Sequence, residues 1–434
     1  MNDLTVRSIS IAHVENPLNP DYMNQNTDTS ANSNPVKELS FMSTQRIATI
    51  DILRALTMVL MIFVNDLWSL KDIPSWLGHV KSGVDGIGLA DVVFPAFLFI
   101  VGLSLPYAIN NRRKKGDNDW QLMQHVLLRT IALLVMGVFL VNGETYNAEA
   151  TGMPKIFWNP LICISFILIW NTYPESFNKY LKYSLRALAI VILLVLAVIY
   201  RGGHDDNIHM FSPSWWGILG LIGWAYLASG TITVFSKNNF WVILGGWVFF
   251  CIVSMAGKAH LIPREIMTII PGAISGGTLT GLTMGGVLTT MIFQYFVKRG
   301  ENLRMTLVLV GFSVILIVLS VITRPYWGLA KLGATPAWLY LCSAFTILAF
   351  IAIYWVADIG GKSKWFDLVK PAGTATILCY LVPYLVYGVR NFLHISLPEV
   401  LRTGGIGLVK TFLFAMLCVG VTGLLIRLGV KMKL

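Results

Sequence analysis

From about residue 50 onward, apolar positions run on for roughly twenty residues at a time, long enough for a helix to cross about 30 Å of hydrocarbon. These runs predict twelve spanning helices, near 50–68, 90–109, 124–142, 157–173, 184–200, 214–235, 240–257, 269–296, 304–323, 336–357, 371–389 and 405–427. The fourth is the weakest, with Asn159 and Pro160 near its start and Pro174 closing it. Barrel strands would instead alternate apolar and polar residues over about ten positions. A helix satisfies its own backbone polar groups, which lipid cannot do. The expected fold is therefore all-α, a polytopic membrane bundle of about 12 helices. Residues 1–45 are different: Asn24, Asn26, Thr27, Asp28, Asn32, Ser33 and Asn34 lie in a polar stretch without apolar periodicity. No basic segment leads into an apolar core there, so it does not read as a signal peptide. It reads as a disordered cytoplasmic tail.

Composition agrees with this picture. The chain is 55% hydrophobic and 13% charged, against about a quarter charged in soluble domains. The net charge of +11 does not indicate nucleic acid, because the basic residues sit in short loops between spans. With the N-terminus inside, about twenty of them fall on the cytoplasmic side, Arg112–Lys115 and Lys362/Lys364 among them, and about eleven outside. That bias predicts N-in and C-in. All five cysteines lie in apolar runs without metal or disulfide spacing and read as packing residues. No metal site is expected. The loop holding His204, Asp205, Asp206 and His209 is a poor match to ligand spacings.

Ionisable groups inside spans are expensive and call for a reason. Asp51 and Arg54 share a helix face at i and i+3. They suit either an interfacial pair or a functional one. The segment Asn65–Asp91 holds an Asn, a His, carboxylates, two Trp and several Gly. His79 is either a solvated loop residue, a general base, or a nucleophile carrying an acyl group. Asn65 could donate to an oxyanion, and Asp91 could cap the second helix or orient the His. Arg129, read as lying near the cytoplasmic end of the third span, is a positive-inside anchor or an anion site. Glu144, Glu149, Lys258, His260, Arg264 and Glu265 line a vestibule or face water.

The order Arg46-x4-Asp51-x2-Arg54, then Phe63-Val64-Asn65, then His79, then Ala90-Asp91-Val92-Val93-Phe94-Pro95-Ala96-Phe97-Leu98-Phe99-Ile100-Val101-Gly102 resembles the heparan-α-glucosaminide N-acetyltransferase family. The stretch Arg129–Asn142 is similar to the helix that follows in that family. The resemblance implies a transmembrane acyltransferase domain over 46–434. It would move an acetyl group from cytosolic acetyl-CoA to an amino sugar or other glycan on the periplasmic side of a bacterial inner membrane. The catalytic role then falls on His79, with Asn65 near the reacting centre and Asp91 as orienter. Asp51, Arg54 and Arg129 fall in the cofactor half. The partners expected are acetyl-CoA, the glycan acceptor and membrane lipid; the reading leaves room for a homodimer. Several positions depart from the family pattern: Ala55 stands for Gly, Ser82–Gly86 replaces a W-N-G approach, and Gly373-Thr374-Ala375-Thr376 lacks the Asn of G-M-N-S. An additional helix pair lies between Pro154 and Tyr200. The alternative reading is a multi-span transporter of a sugar or other small molecule.

Overall fold

The computed structural model describes residues 47–203 and 207–434. The expected tail of residues 1–45, the motif residue Arg46 and the loop residues His204, Asp205 and Asp206 lie outside them. Twelve helices of 16 residues or more lie among the described residues. In chain order they are α1 (Ala48–Asp66), α2 (Leu89–Lys114), α3 (Asp119–Asn142), α4 (Lys155–Trp170), α5 (Lys179–Ile199), α6 (Ile218–Phe235), α7 (Phe240–Lys258), α8 (Thr278–Val297), α9 (Asn302–Trp327), α10 (Pro336–Tyr354), α11 (Thr376–Phe392) and α12 (Gly404–Arg427). Strand is confined, among the described residues, to a two-residue pair, Arg201–Gly202 with His209–Met210.

Nine of these helices are long and apolar enough to cross a membrane. The exceptions among the twelve are α4 and α11, which are short, and α8, which is rich in Thr and Gly. On the peripheral helices α5, α7, α9 and α12, side chains such as Leu194, Val198, Phe249, Ile315, Val321, Leu413 and Leu417 are exposed. Apolar surface on that scale would be unstable against water and is at home in lipid. The chain is an integral membrane protein.

The sequence runs near 269–296 and 371–389 are each broken. Short helices Arg264–Ile269 and Gly272–Ser275 precede α8, and Gly277 makes the break with φ +71°. Lys370–Thr374 precedes α11. Helix α3 begins at Asp119 rather than near 124, with Asn118 and Gln121 forming a reciprocal cap.

Helix α8 is the axis of the bundle, packed against α2, α6, α7, α9 and α10. Residues 278–290 are all buried. Its small residues let backbones meet: a Cβ on Gly102 of α2 would lie 1.9 Å from the Thr283 carbonyl oxygen. The threonine hydroxyls that this burial encloses donate to carbonyls, as Thr290 does to Leu103 at 2.8 Å. That satisfies them without water.

The loops meet at two ends. At one, Asp358 accepts from the Ala48 and Thr49 amides and so caps α1; Asn238 bonds Asn110, and Asn171 pairs with Met432. At the other, Lys71 pairs with Thr403, and the loop around Asp85 meets Leu329.

Candidate active site

The second end holds the candidate chemistry. Segment 67–88 leaves α1 through two single turns and returns to start α2. Gly88 permits the close return, since a Cβ there would lie 2.0 Å from the Gly78 oxygen. His79 is thereby brought against the first turn of α2. Its Nδ1 lies 2.7 Å from Asp91 Oδ1. The other carboxylate oxygen accepts the amides of Val80 at 3.0 Å and Gly88 at 3.1 Å, and the Asp91 carbonyl accepts from Trp338 Nε1 at 2.9 Å. Asp91 therefore both caps α2 and holds the imidazole. Its side chain is 2% exposed, that of His79 48%. A carboxylate at Nδ1 selects the tautomer with the proton on Nδ1. The Nε2 lone pair is then free for a proton or an acyl carbon.

A second loop, between α9 and α10, closes on this pair. Asp85 Oδ1 accepts from the Leu329 amide at 2.7 Å, and Gly86 N donates to Leu329 O at 2.9 Å. Arg324 Nε lies 3.0 Å from Asp85 Oδ2. The Leu329 amide first, and then Arg324, hold the Asp85 carboxyl below its ordinary pKa against the opposing cost of burial. This docking sets Lys331 Nζ 3.3 Å from His79 Nδ1. Burial pushes the Lys331 ammonium below the ordinary lysine value, with Asp91 opposing.

A cavity of about 1440 Å³ opens beside these residues, with Asn65, Glu144, Lys258, Lys331, Tyr384 and Arg390 in its wall. Asn65 is exposed there, at the end of α1. Burial raises the Glu144 carboxyl, with Lys155 opposing. Of the other polar residues considered for a vestibule, Lys258 lines the cavity, whereas Glu149, His260 and Glu265 are exposed and outside its wall.

The three residues assigned to the cofactor half are not brought together as one group. Arg54 bonds Asp51 at 3.1 Å, the Gly373 carbonyl at 3.3 Å and Ser104 of α2. Arg129 packs its guanidinium over Tyr226 of α6, 4.9 Å from the ring centre, with Nε buried and without a hydrogen-bond partner among the described residues. It stands well inside α3 rather than near an end, because the helix starts at Asp119. Asn142, at the far end of α3, is spent on the carbonyls of Val138 and Ser212.

Sequence reasoning missed two sets of residues. Lys331 and Asp85 carry no local signal, since they lie in ordinary polar loops, and Arg324 in the last turn of α9 reads as a common basic helix end. Asp66 and Lys410 do carry one, being ionisable residues in apolar runs. Their partnership, across 344 positions, is tertiary. Asp66 accepts from Lys410 Nζ at 2.8 Å, Thr411 Oγ1 at 2.8 Å and the Tyr387 hydroxyl, pinning α1 to α11 and α12 beside Asn65.

The model of a family described as "Domain of unknown function (DUF5009)" matches residues 46–273. Two curated proteins are similar over shorter stretches. Heparan-alpha-glucosaminide N-acetyltransferase of Mus musculus is 31% identical over 130 residues, 29% of this chain and 16% of that protein. The Homo sapiens protein of the same name is 30% identical over 101 residues, 22% of this chain and 14% of its own length. The chain thus spans well under a fifth of the curated relatives it matches.

Proposed function

We propose that this chain, which belongs to the DUF5009 family, is a transmembrane acetyltransferase that moves an acetyl group from cytosolic acetyl-CoA to an amino sugar or related glycan across a bacterial inner membrane. One observation carries the reading: His79 Nδ1 is held by a carboxylate itself fixed by two amides, which leaves Nε2 without a partner among the described residues, next to Lys331 in the wall of a large, mainly apolar cavity. The similarity to the two N-acetyltransferases supports it. The acceptor amine attacks the thioester carbonyl carbon; Nε2 takes the amine proton, the carbonyl electrons move to oxygen, and the C–S bond then breaks as the thiolate recovers a proton. Asp91 supports the imidazolium that forms in between. Asn65 offers its amide to the oxyanion from the cavity wall. Asp51 and Arg54 would meet the donor on the opposite side. Arg129, whose buried Nε has no partner among the described residues, would meet a donor phosphate with its guanidinium.

In this reading all twelve helices cross the membrane, with both termini inside. The alternating ends at which the loops meet, together with the basic-residue bias, favour that arrangement. The test is incubation of purified protein with labelled acetyl-CoA and a panel of amino sugars. Label on a sugar is expected; label on the protein without acceptor would indicate an acetyl-His79 intermediate. Substrate uptake into vesicles with no acetyl turnover would replace the enzyme with the transporter.

A further inference from the structure

Lys331 is a cation in the cavity wall without a carboxylate salt bridge among the described residues. Its one hydrogen-bond neighbour there is His79 Nδ1 at 3.3 Å, and that atom's proton is already committed to Asp91 at 2.7 Å. All three ammonium protons are therefore available to a ligand. The backbone around Lys331 is held from both sides. Leu329 N is bonded to Asp85, Ala330 N to Thr335 Oγ1 at 3.1 Å, and Ala334 N to the Lys331 carbonyl at 2.8 Å. An ammonium beside the base, partly desolvated and carried by a residue of the cavity wall whose backbone is held on both sides, suits the place where negative charge develops.

We propose that Lys331 is a catalytic electrophile that stabilises the oxyanion of the tetrahedral intermediate in acyl transfer. This rests on the acetyltransferase reading above. As the acceptor nitrogen bonds to the thioester carbon, the C=O π electrons pass to oxygen, which accepts an N–H from Lys331. When the C–S bond breaks those electrons return and the ammonium is left unchanged. Lys331 neither gains nor loses a proton over the cycle. The charged and titratable groups around it are His79 of the 67–88 segment, Asp91 of α2, Cys342 of α10, the Asp85–Arg324 pair, and Lys258 of α7 farther along the cavity wall.

The experiment compares wild type, Lys331→Met and Lys331→Arg in acetyl transfer from acetyl-CoA, with kcat and KM resolved across pH. Melting temperature in detergent, with and without acetyl-CoA, serves as the folding control. Lys331→Met should lower kcat by about 10²–10³-fold with little change in KM for the donor and an unchanged acetyl-CoA shift. Because burial lowers the Lys331 pKa, wild-type activity should fall on the alkaline side at a pH below the ~10.4 of a solvated lysine. Lys331→Arg, whose guanidinium stays charged, should keep part of the activity and move that limb to higher pH. A Lys331→Met protein with wild-type kcat overturns the assignment, as does a loss confined to the acceptor KM or an alkaline limb that Lys331→Arg leaves in place. If the wild type itself neither transfers nor hydrolyses the thioester, the acetyltransferase reading falls and Lys331 falls with it.

Discussion

At the scale of single residues, the candidate site depends on one carboxylate performing two tasks. Asp91 closes the first turn of α2 and fixes the His79 tautomer through the same side chain. His79→Ala should remove about 10²–10⁴-fold of transfer rate while leaving the acetyl-CoA melting shift intact, because the half-exposed ring fills no core space. Asp91→Asn should lower kcat less than His79→Ala, since an amide can still accept the Gly88 amide but no longer favours the imidazolium. Steady-state kinetics on the two variants test this, and equal losses would remove Asp91 from the orienting role. Asp85 yields a pH prediction. Its folded pKa is depressed, so its contribution to docking is present above the ordinary carboxylate range and is lost as pH falls through the depressed value. Hydrogen exchange in residues 80–88 should rise steeply below about pH 4. Asp85→Ala should show the faster exchange already at neutral pH; protection equal to wild type would mean other contacts hold the loop.

Among the helices, backbone proximity does the packing, and the central helix shows why hydropathy alone misjudges it. Helix α8 is less apolar than its neighbours because it touches protein, not lipid, and its Gly and Thr residues allow close approach. Gly102→Ala should part α2 from α8 and cost about 1–3 kcal/mol of stability, read as a lowered melting temperature in detergent. Gly245→Ala on α7, where an added Cβ meets nothing within 4 Å, should be neutral or slightly stabilising through helix propensity. If both behave alike, the Gly102 contact is not a packing constraint. The Asp66–Lys410 pin acts between helices too. Asp66→Ala leaves a largely buried ammonium without its carboxylate and should cost about 3–5 kcal/mol. The double change Asp66→Ala with Lys410→Met should recover much of that loss; no recovery would mean that Asp66 acts through Tyr387 and Thr411 rather than through charge.

For the whole molecule, the expectation is orientation. Cysteine placed at Arg113 or Lys364 should resist an impermeant outside label, whereas cysteine at His79 or Lys331 should accept it. The native cysteines are all buried, so background labelling should be small. Outside labelling at 364 without labelling at 79 would reverse the orientation.

The amino-acid sequence by itself determined that the chain lives in lipid and where its helices run, because a solvent of hydrocarbon demands long apolar stretches and those are written locally. It also placed His79, Asn65 and Asp91 in one short segment whose ends are consecutive helices; of the three, the structure joins His79 to Asp91, while Asn65 stands in the cavity wall. The breaks before α8 and α11 escaped it, because Gly and Thr are tolerated in continuous membrane helices as readily as at their interruptions. Arg129 was misplaced along its helix because a polar first turn held by a cap extends a span beyond its apolar core. Only tertiary structure decided what joins distant positions: Asp85 to Leu329, Lys331 to His79, and Asp66 to Lys410. Each of these contacts depends on the relative placement of helices hundreds of residues apart. A lone Lys in a short loop carries no local mark of the imidazole it will meet.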